Sequence, residues 1–230
     1  MFPLKDDNPI HSTPIVTIGL SVANALVFFY QVSLEVGGVQ GARAGQAFIE
    51  EFGLVPCRLI GACPSADLPS PILTIFSSMF MHGGLFHIAG NMLYLWIFGN
   101  NVEDVLGHGR YLIFYLASGV AAALAQTAIG PGSPVPMVGA SGAVSGVLGA
   151  YLLLFPHAHV TTLIILGFFF RLVKIPAVFV LGFWIVVQVL NGLGSFGASG
   201  GVAFFAHIGG FVAGMGLLFV LRPRAGRRAA

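Results

Sequence analysis

The chain has 230 residues, of which 57% are hydrophobic and 8% are charged, and its formal net charge is +2. A soluble domain of this length does not bury so much apolar surface, so the composition predicts a polytopic protein of the lipid bilayer. The net charge is too small to indicate a nucleic-acid partner.

Six apolar segments predict six membrane-spanning helices, because each approaches the roughly 20 residues that a helix needs to cross the hydrocarbon core. We place them at residues 14–34, 82–100, 111–129, 138–155, 175–193 and 202–221. The first segment continues through Leu26 to Tyr30 without a break, which favours an uncleaved span over a signal peptide. The predicted fold class is an all-α polytopic membrane protein with six transmembrane helices. Its membrane domain, 14–221, lies between a short tail at 1–13 and a basic tail at 222–230.

Three segments between the spans have a character of their own. Residues 35–70 form a long loop, in which Ala47 to Leu54 is partly amphipathic and is expected at the membrane interface. Residues 160–170 are apolar but cover only half a span, so we interpret them as an interfacial excursion and not as a seventh helix. The glycine-rich residues 194–201 are expected to form a flexible loop that acts as a lid.

The basic residues indicate the orientation of the chain. With six spans and both termini in the cytoplasm, Arg43 and Arg58 lie outside. The other eight lie inside: Lys5, Arg110, Arg171, Lys174, Arg222, Arg224, Arg227 and Arg228. This distribution obeys the positive-inside rule. The expected location is a cell membrane of the bacterial inner-membrane type. The heads of the second, fourth and sixth spans then share the outer side.

The two cysteines, Cys57 and Cys63, lie six positions apart in the long outer loop. An oxidising compartment favours a disulfide between them, and two free thiols are the alternative. Their spacing lacks the further ligands of a zinc site.

Two stripes of small residues each carry a reactive side chain. Ser141 lies in the run from Gly139 to Gly146, at the head of the fourth span, while His207, Gly210 and Gly214 share one face of the sixth. Glycines at this spacing let two helix backbones approach closely in lipid. If the stripes dock, Ser141 and His207 meet as a nucleophile and its base. The alternative is that Ser141 is one more small residue for helix packing.

Further polar residues lie at the head of the second span. His87 and Asn91 are four residues apart on one helix face, and His82 precedes them; polar groups within a membrane are expensive and indicate function. An interhelical hydrogen bond is the alternative for the pair. A zinc enzyme is disfavoured, because the histidine cluster contains no acidic residue that could act as a base. An intramembrane aspartyl protease is excluded, because it needs two Asp within the spans and the spans contain none. Acyl transfer fits better, with Ser141 as nucleophile, His207 as base, and no metal or cofactor.

Four motifs in this order carry a resemblance to a known family. They are His82-x4-His87-x3-Asn91, Gly99-x3-Glu103-x3-Gly107, Gly139-x-Ser141-Gly142-x3-Gly146 and Ala206-His207-x2-Gly210-x3-Gly214. From about Phe52 to Gly214 the chain resembles the rhomboid intramembrane serine proteases. The resemblance implies a six-helix bundle and a Ser–His dyad that opens to water on the outer face. Its substrates would be single-pass or polytopic membrane proteins, cut in transmembrane segments near that face, where small residues flank the bond.

The resemblance also implies roles for single residues. Ser141 resembles the nucleophile of the family and His207 its general base. The oxyanion hole of the family is resembled by three groups, His87, Asn91 and the Ser141 amide. Supporting roles fall to His82, to Glu103 as a polar tie on the cytoplasmic side, and to Gly139, which lets its loop approach the scissile bond.

Two positions depart from the family pattern. Ser145 stands where the family usually has a tyrosine whose ring packs on the base, and the long loop lacks the frequent Trp-Arg pair. We therefore expect close packing of the fourth and sixth helices to orient His207, with a hydrogen bond added by Ser145, directly or through water. The alternative is that Ser145 bonds only its own helix backbone one turn back.

Two other functions compete with proteolysis. One is a non-catalytic rhomboid-like scaffold that binds transmembrane helices; relatives of this kind lack the Ser or the His, and both are present here. The other is a small transporter with a histidine proton relay. That reading requires acidic residues at mid-membrane and paired broken helices, neither of which the sequence indicates.

Overall fold

The computed structural model describes residues 2–64, 69–167, 169–195 and 202–223. The helices are α1 (Ile15–Leu34), α2 (Val39–Phe52), α3 (Pro56–Leu59), α4 (Pro71–Ser77), α5 (Leu85–Tyr94), α6 (Asn100–Leu106), α7 (His108–Ile129), α8 (Ser141–Leu154), α9 (Ala177–Gly194) and α10 (Phe204–Leu221). A 3-10 turn at Ser78–Phe80 follows α4, and a π-helical segment at Leu95–Gly99 joins α5 to α6. The strands are β1 (Phe2–Asp6), β2 (His159–Leu166) and β3 (Phe169–Pro176).

Four of the described helices are long and apolar enough to cross a membrane, namely α1, α7, α9 and α10. A fifth candidate is the bent pair Pro71–Phe80 and Leu85–Leu106, whose two halves meet at 83°. Helix α8 is apolar but has 14 residues, fewer than the roughly 20 of a full span. The chain is therefore mostly helical, with four or five candidate membrane spans.

The second predicted span, 82–100, differs from the structure at both ends. The helix begins at Leu85, after Gly84, whose φ of 154° is accessible to glycine. It continues past Asn100 to Leu106. The continuation contains Glu103, a polar residue that ends the apolar pattern in the sequence, yet this side chain is fully buried and hydrogen-bonded. Tertiary partners thus extend a helix beyond the point where hydropathy predicts its end.

The prediction of an all-α fold is wrong in one region, because the chain contains a three-stranded antiparallel sheet in the order β1-β2-β3. Of residues 160–170, predicted as an interfacial excursion, 160–166 belong to β2 and 169–170 to β3, which pair antiparallel, and Gly167 after β2 has φ 60°. The β-branched residues of Val160-Thr-Thr-Leu-Ile-Ile favour this extended conformation. The predicted polar tail supplies β1, which pairs with β2.

The two small-residue stripes dock on each other as predicted. A Cβ atom added to Gly210 would overlap the carbonyl oxygen of Gly142, and one added to Gly214 would overlap that of Gly146. Helices α8 and α10 therefore approach to a backbone distance that only glycine permits. This contact positions the start of α8 beside the start of α10.

The long loop folds against the segment that precedes α8. Leu54 and Met137 form an isolated antiparallel bridge, and the N–H of Cys57 donates to the carbonyl of Ser133. The predicted disulfide between Cys57 and Cys63 is present. Of the predicted lid, residues 196–201 lie outside the described residues, as does most of the predicted basic tail, 224–230.

Candidate active site

Ser141 and His207 are in direct hydrogen-bonding contact. Ser141 is the first residue of α8, His207 lies in the first turn of α10, and the Ser141 Oγ is 2.7 Å from the His207 Nε2. The preceding residue is held as well, because the N–H of Ala206 donates to Gln126 Oε1 of α7 at 3.2 Å. The docked glycine stripes thus bring together a hydroxyl and an imidazole that are 66 residues apart in the chain.

The far side of the imidazole contacts α9. The His207 Nδ1 is 2.8 Å from Gln188 Oε1, and the ring centroid of Trp184 lies 5.9 Å from that of His207. Gln188 was absent from the residues predicted from the sequence. The available signal was that Gln188 is one of two amide side chains, with Asn191, in a predicted span, 175–193, since such residues are costly in lipid.

The Ser145 hydroxyl has a different partner from the one expected for it. Its Oγ donates to the carbonyl oxygen of Ser141 at 2.6 Å, one turn back in the same helix. Ser145 is 1% exposed, and this local bond satisfies its donor. The expected direct hydrogen bond from Ser145 to His207 is therefore replaced by the alternative, a bond to the backbone of its own helix.

His87 lies against the loop that leads into α8. Gly139 has φ 133°, and a Cβ atom added there would lie 2.8 Å from the His87 Nε2, so glycine is required both for the backbone and for the ring beside it. The N–H of Gly83 donates to the His87 Nδ1 at 3.3 Å. Because this nitrogen accepts, the neutral ring carries its proton on Nε2, the atom that faces the Ser141 loop.

Asn91 and His82 flank His87. The Asn91 Nδ2 donates to the carbonyl of His87 at 3.0 Å, which engages one of its two N–H groups. His82 is 2% exposed, and its ring centroid lies 5.1 Å from that of His87. Its backbone N–H and carbonyl both bond the side chain of Gln31 in α1. The two imidazole rings meet edge to face, with an interplanar angle of 70°.

Glu103 lies away from these residues, at the beginning of α1. Its carboxylate accepts from the N–H groups of Val16 and Thr17 at 2.9 and 2.8 Å and from the Thr17 hydroxyl at 2.7 Å, and His108 Nδ1 is 2.6 Å away. A carboxylate at a helix N-terminus satisfies free amides and complements the helix dipole. Its contacts are those of a structural tie between α6 and α1.

Ser141 and His207 line a cavity of about 810 Å³. Its polar lining includes His87, Asn91, Gln126, Gln188, Ser141 and His207. A second, smaller cavity of about 40 Å³ lies behind Ser141, and its walls include the small residues Gly119, Ala122 and Ala123. Within the described ranges, no group of three or more His, Cys, Asp or Glu side chains could hold a metal ion. A hydroxyl paired with an imidazole, beside further N–H donors, is an arrangement suited to acyl transfer.

Comparison with known proteins gives several similar chains. The chain is 36% identical to Rhomboid protease GluP of Bacillus subtilis over 50% of its own length and 20% of that protein. It is 32% identical to Rhomboid protein 1, mitochondrial, of Saccharomyces cerevisiae over 66% of its length and 42% of that protein. The human Presenilin-associated rhomboid-like protein, mitochondrial, is 33% identical over 46% of this chain and 28% of that protein. The chain thus spans less than half the length of these relatives.

The family model for the rhomboid domain matches residues 69–224. The matched residues include the bent helix pair and both small-residue stripes. They also include the lining of the large cavity, apart from what the long loop contributes. The match covers more than half of the chain. The chain therefore belongs to the rhomboid family.

Proposed function

We propose that the chain is an intramembrane serine endopeptidase that cleaves transmembrane segments of membrane proteins with a Ser141–His207 dyad. The observation that carries this proposal is the 2.7 Å contact between Ser141 Oγ and His207 Nε2 at the wall of the cavity. The family supports it, since one relative is named a rhomboid protease.

In the proposed mechanism, His207 Nε2 takes the proton of Ser141 as Oγ attacks the carbonyl carbon of the scissile bond. The negative charge that develops on the carbonyl oxygen is stabilised by three donors, the Ser141 amide, the His87 Nε2–H and the free N–H of Asn91. His207 then gives its proton to the leaving amine. Water from the cavity, activated by the same imidazole, hydrolyses the acyl-enzyme.

Six segments cross the bilayer in this proposal. The bent pair counts as one, and α8, which packs against both α7 and α10, counts as another; 14 helical residues rise about 21 Å. The membrane domain keeps the predicted bounds of 14–221. The dyad opens toward the outer side, and the sheet lies inside, because the basic residues Lys5, Arg171 and Lys174 belong to it. Both termini then lie in the cytoplasm of a bacterial-type cell.

The small cavity supports a preference in the substrate. Its volume of about 40 Å³ behind Ser141 accommodates a side chain as small as that of alanine. The substrates are accordingly proposed to be single-pass or polytopic membrane proteins with small residues beside the cleaved bond. The helix around that bond has to unwind to enter the site, so residues of low helix propensity favour cleavage.

The test is cleavage of a single-pass substrate by the chain in lipid vesicles, together with labelling by a fluorophosphonate. We expect wild type to cleave and to be labelled at Ser141, and Ser141→Ala and His207→Ala each to lose cleavage while staying folded. Because dyad members act as a unit, the double variant is expected to be hardly worse than either single one. A folded wild-type chain that neither cleaves nor is labelled, yet binds transmembrane helices, would establish the scaffold function in its place.

A further inference from the structure

We propose that Gln188 is a positioning residue that holds His207 in the tautomer able to accept the Ser141 proton. This inference rests on the proposed function of the dyad. Gln188 lies on α9 and contacts the imidazole nitrogen on the side away from Ser141. Its Oε1 is 2.8 Å from His207 Nδ1, so Gln188 is the side chain that orients the base.

The orientation of the Gln188 amide follows from its second contact. Its Nε2 lies 3.4 Å from the backbone carbonyl oxygen of Trp184. A carbonyl oxygen only accepts, so the NH2 group has to be the end of the amide that faces it. The oxygen end is then directed at His207.

The amide oxygen in turn selects the protonation of the imidazole. An oxygen acceptor at Nδ1 requires a proton on Nδ1, which leaves Nε2 of the neutral ring with a free lone pair. That lone pair faces the Ser141 hydroxyl. The reverse tautomer would set two acceptors against each other at Gln188 Oε1 and His207 Nδ1, so it is disfavoured there. It would also direct Nε2–H at Ser141 Oγ, and a protonated Nε2 of the neutral ring cannot take the Ser141 proton.

The position of Gln188 explains how this chain manages without an aromatic residue at 145. Trp184 and Gln188 are four residues apart on the same face of α9, so one helix supplies both a ring beside the imidazole and an acceptor for its Nδ1. Gln188 is 9% exposed. An amide is costly within a membrane helix, and its bonds to His207 and Trp184 offset that cost.

The test compares Gln188→Leu with Gln188→Glu in the full chain. Leucine removes the buried amide, which favours stability, but leaves His207 Nδ1–H without its acceptor, which opposes it, so the thermal stability in detergent is expected to change little. The same change is expected to lower kcat roughly 10–10²-fold, because a misoriented base forfeits part of its contribution. KM is expected to stay within about twofold, since substrate binding is not altered. Gln188→Glu retains an oxygen acceptor for Nδ1–H and is expected to recover most of the activity.

Asn191→Leu is the matched control, because this amide lies on the same helix but is exposed; we expect its kcat to equal that of wild type. The fluorophosphonate labelling rate of Ser141 is expected to follow kcat across the series. A folded Gln188→Leu protein with wild-type kcat and labelling rate would overturn the inference while leaving the dyad intact, whereas absent labelling of wild type would instead refute the proposed function. Gln188→Met, which keeps the length without the amide oxygen, replaces the leucine variant if that one does not fold.

Discussion

The Tyr151 hydroxyl donates a hydrogen bond to Asp6 Oδ2 at 2.7 Å and accepts one from Asn8 Nδ2 at 2.9 Å. These bonds join the last turn of α8 to the end of β1, across 145 positions of sequence. Asp6 is 8% exposed, and burial raises the pKa of its carboxyl group above the ordinary value of 3.8. The end of α8 opposite Ser141 is thus tied to the sheet by a buried carboxyl group.

The raised pKa of Asp6 predicts a pH dependence of stability. The folded chain binds this proton more tightly than the unfolded chain, so the contribution of Asp6 is complete below its unfolded pKa and is lost as the pH rises through the folded pKa. The stability of the folded chain is therefore expected to decline as the pH rises above 3.8, and Asp6→Asn is expected to remove the share of that decline that Asp6 causes. Thermal unfolding of both proteins in detergent across acidic and neutral pH measures it. Parallel stability curves for the two proteins would contradict the assignment.

The contact between α8 and α10 predicts a sharp difference between two glycines of one helix. Gly214 abuts the backbone of Gly146, whereas a Cβ atom added to Gly216 has no neighbour within 4 Å. We expect Gly214→Ala to lower stability by about 1–3 kcal/mol, as overpacking does. Gly216→Ala is the matched control and is expected to be neutral or stabilising by up to about 1 kcal/mol. Equal effects of the two substitutions on thermal unfolding would exclude the close approach as their cause.

Asn91 is expected to act in the reaction and not only in the fold. Its removal as an oxyanion donor should lower kcat by about 10²–10³-fold with a smaller effect on KM. The hydrogen bond that it makes is to the carbonyl of His87 in its own helix, so Asn91→Ala should leave the contacts between helices in place. Steady-state cleavage and thermal unfolding of the same preparation separate the two roles. If a folded Asn91→Ala enzyme had a normal kcat and a lowered stability, the role of Asn91 would be structural only.

Ser145→Ala is expected to change kcat little, because the hydroxyl is bonded to the Ser141 carbonyl and not to the base. Loss of this buried hydrogen bond should lower stability by about 0.5–1.5 kcal/mol. The comparison with Gln188→Leu is informative, since that change should spare stability and lower kcat. If Ser145→Ala lowered kcat as much as Gln188→Leu does, Ser145 would have to take part in orienting His207.

The sequence by itself determined the membrane class, most of the span positions and the pairing of Ser141 with His207. Hydropathy reports burial in lipid directly, so α1, α7, α9 and α10 lie within a few residues of the predicted spans. Glycine spacing is equally direct, because only glycine permits the backbone approach seen between Gly146 and Gly214. A contact that depends on two such local patterns could therefore be predicted before any fold was known.

Tertiary structure decided the features that depend on partners distant in sequence. Strand β1 forms from a polar segment only because β2 offers it an edge, and the helix after Leu85 extends to Leu106 while Glu103 caps α1. The Ser145 hydroxyl had two possible partners, His207 and the Ser141 carbonyl, and the structure pairs it with the carbonyl. Gln188 is one glutamine in an apolar helix until the packing of α9 places its amide oxygen 2.8 Å from the His207 imidazole. A hydrogen bond depends on the relative rotation of two helices, which hydropathy and residue spacing do not encode.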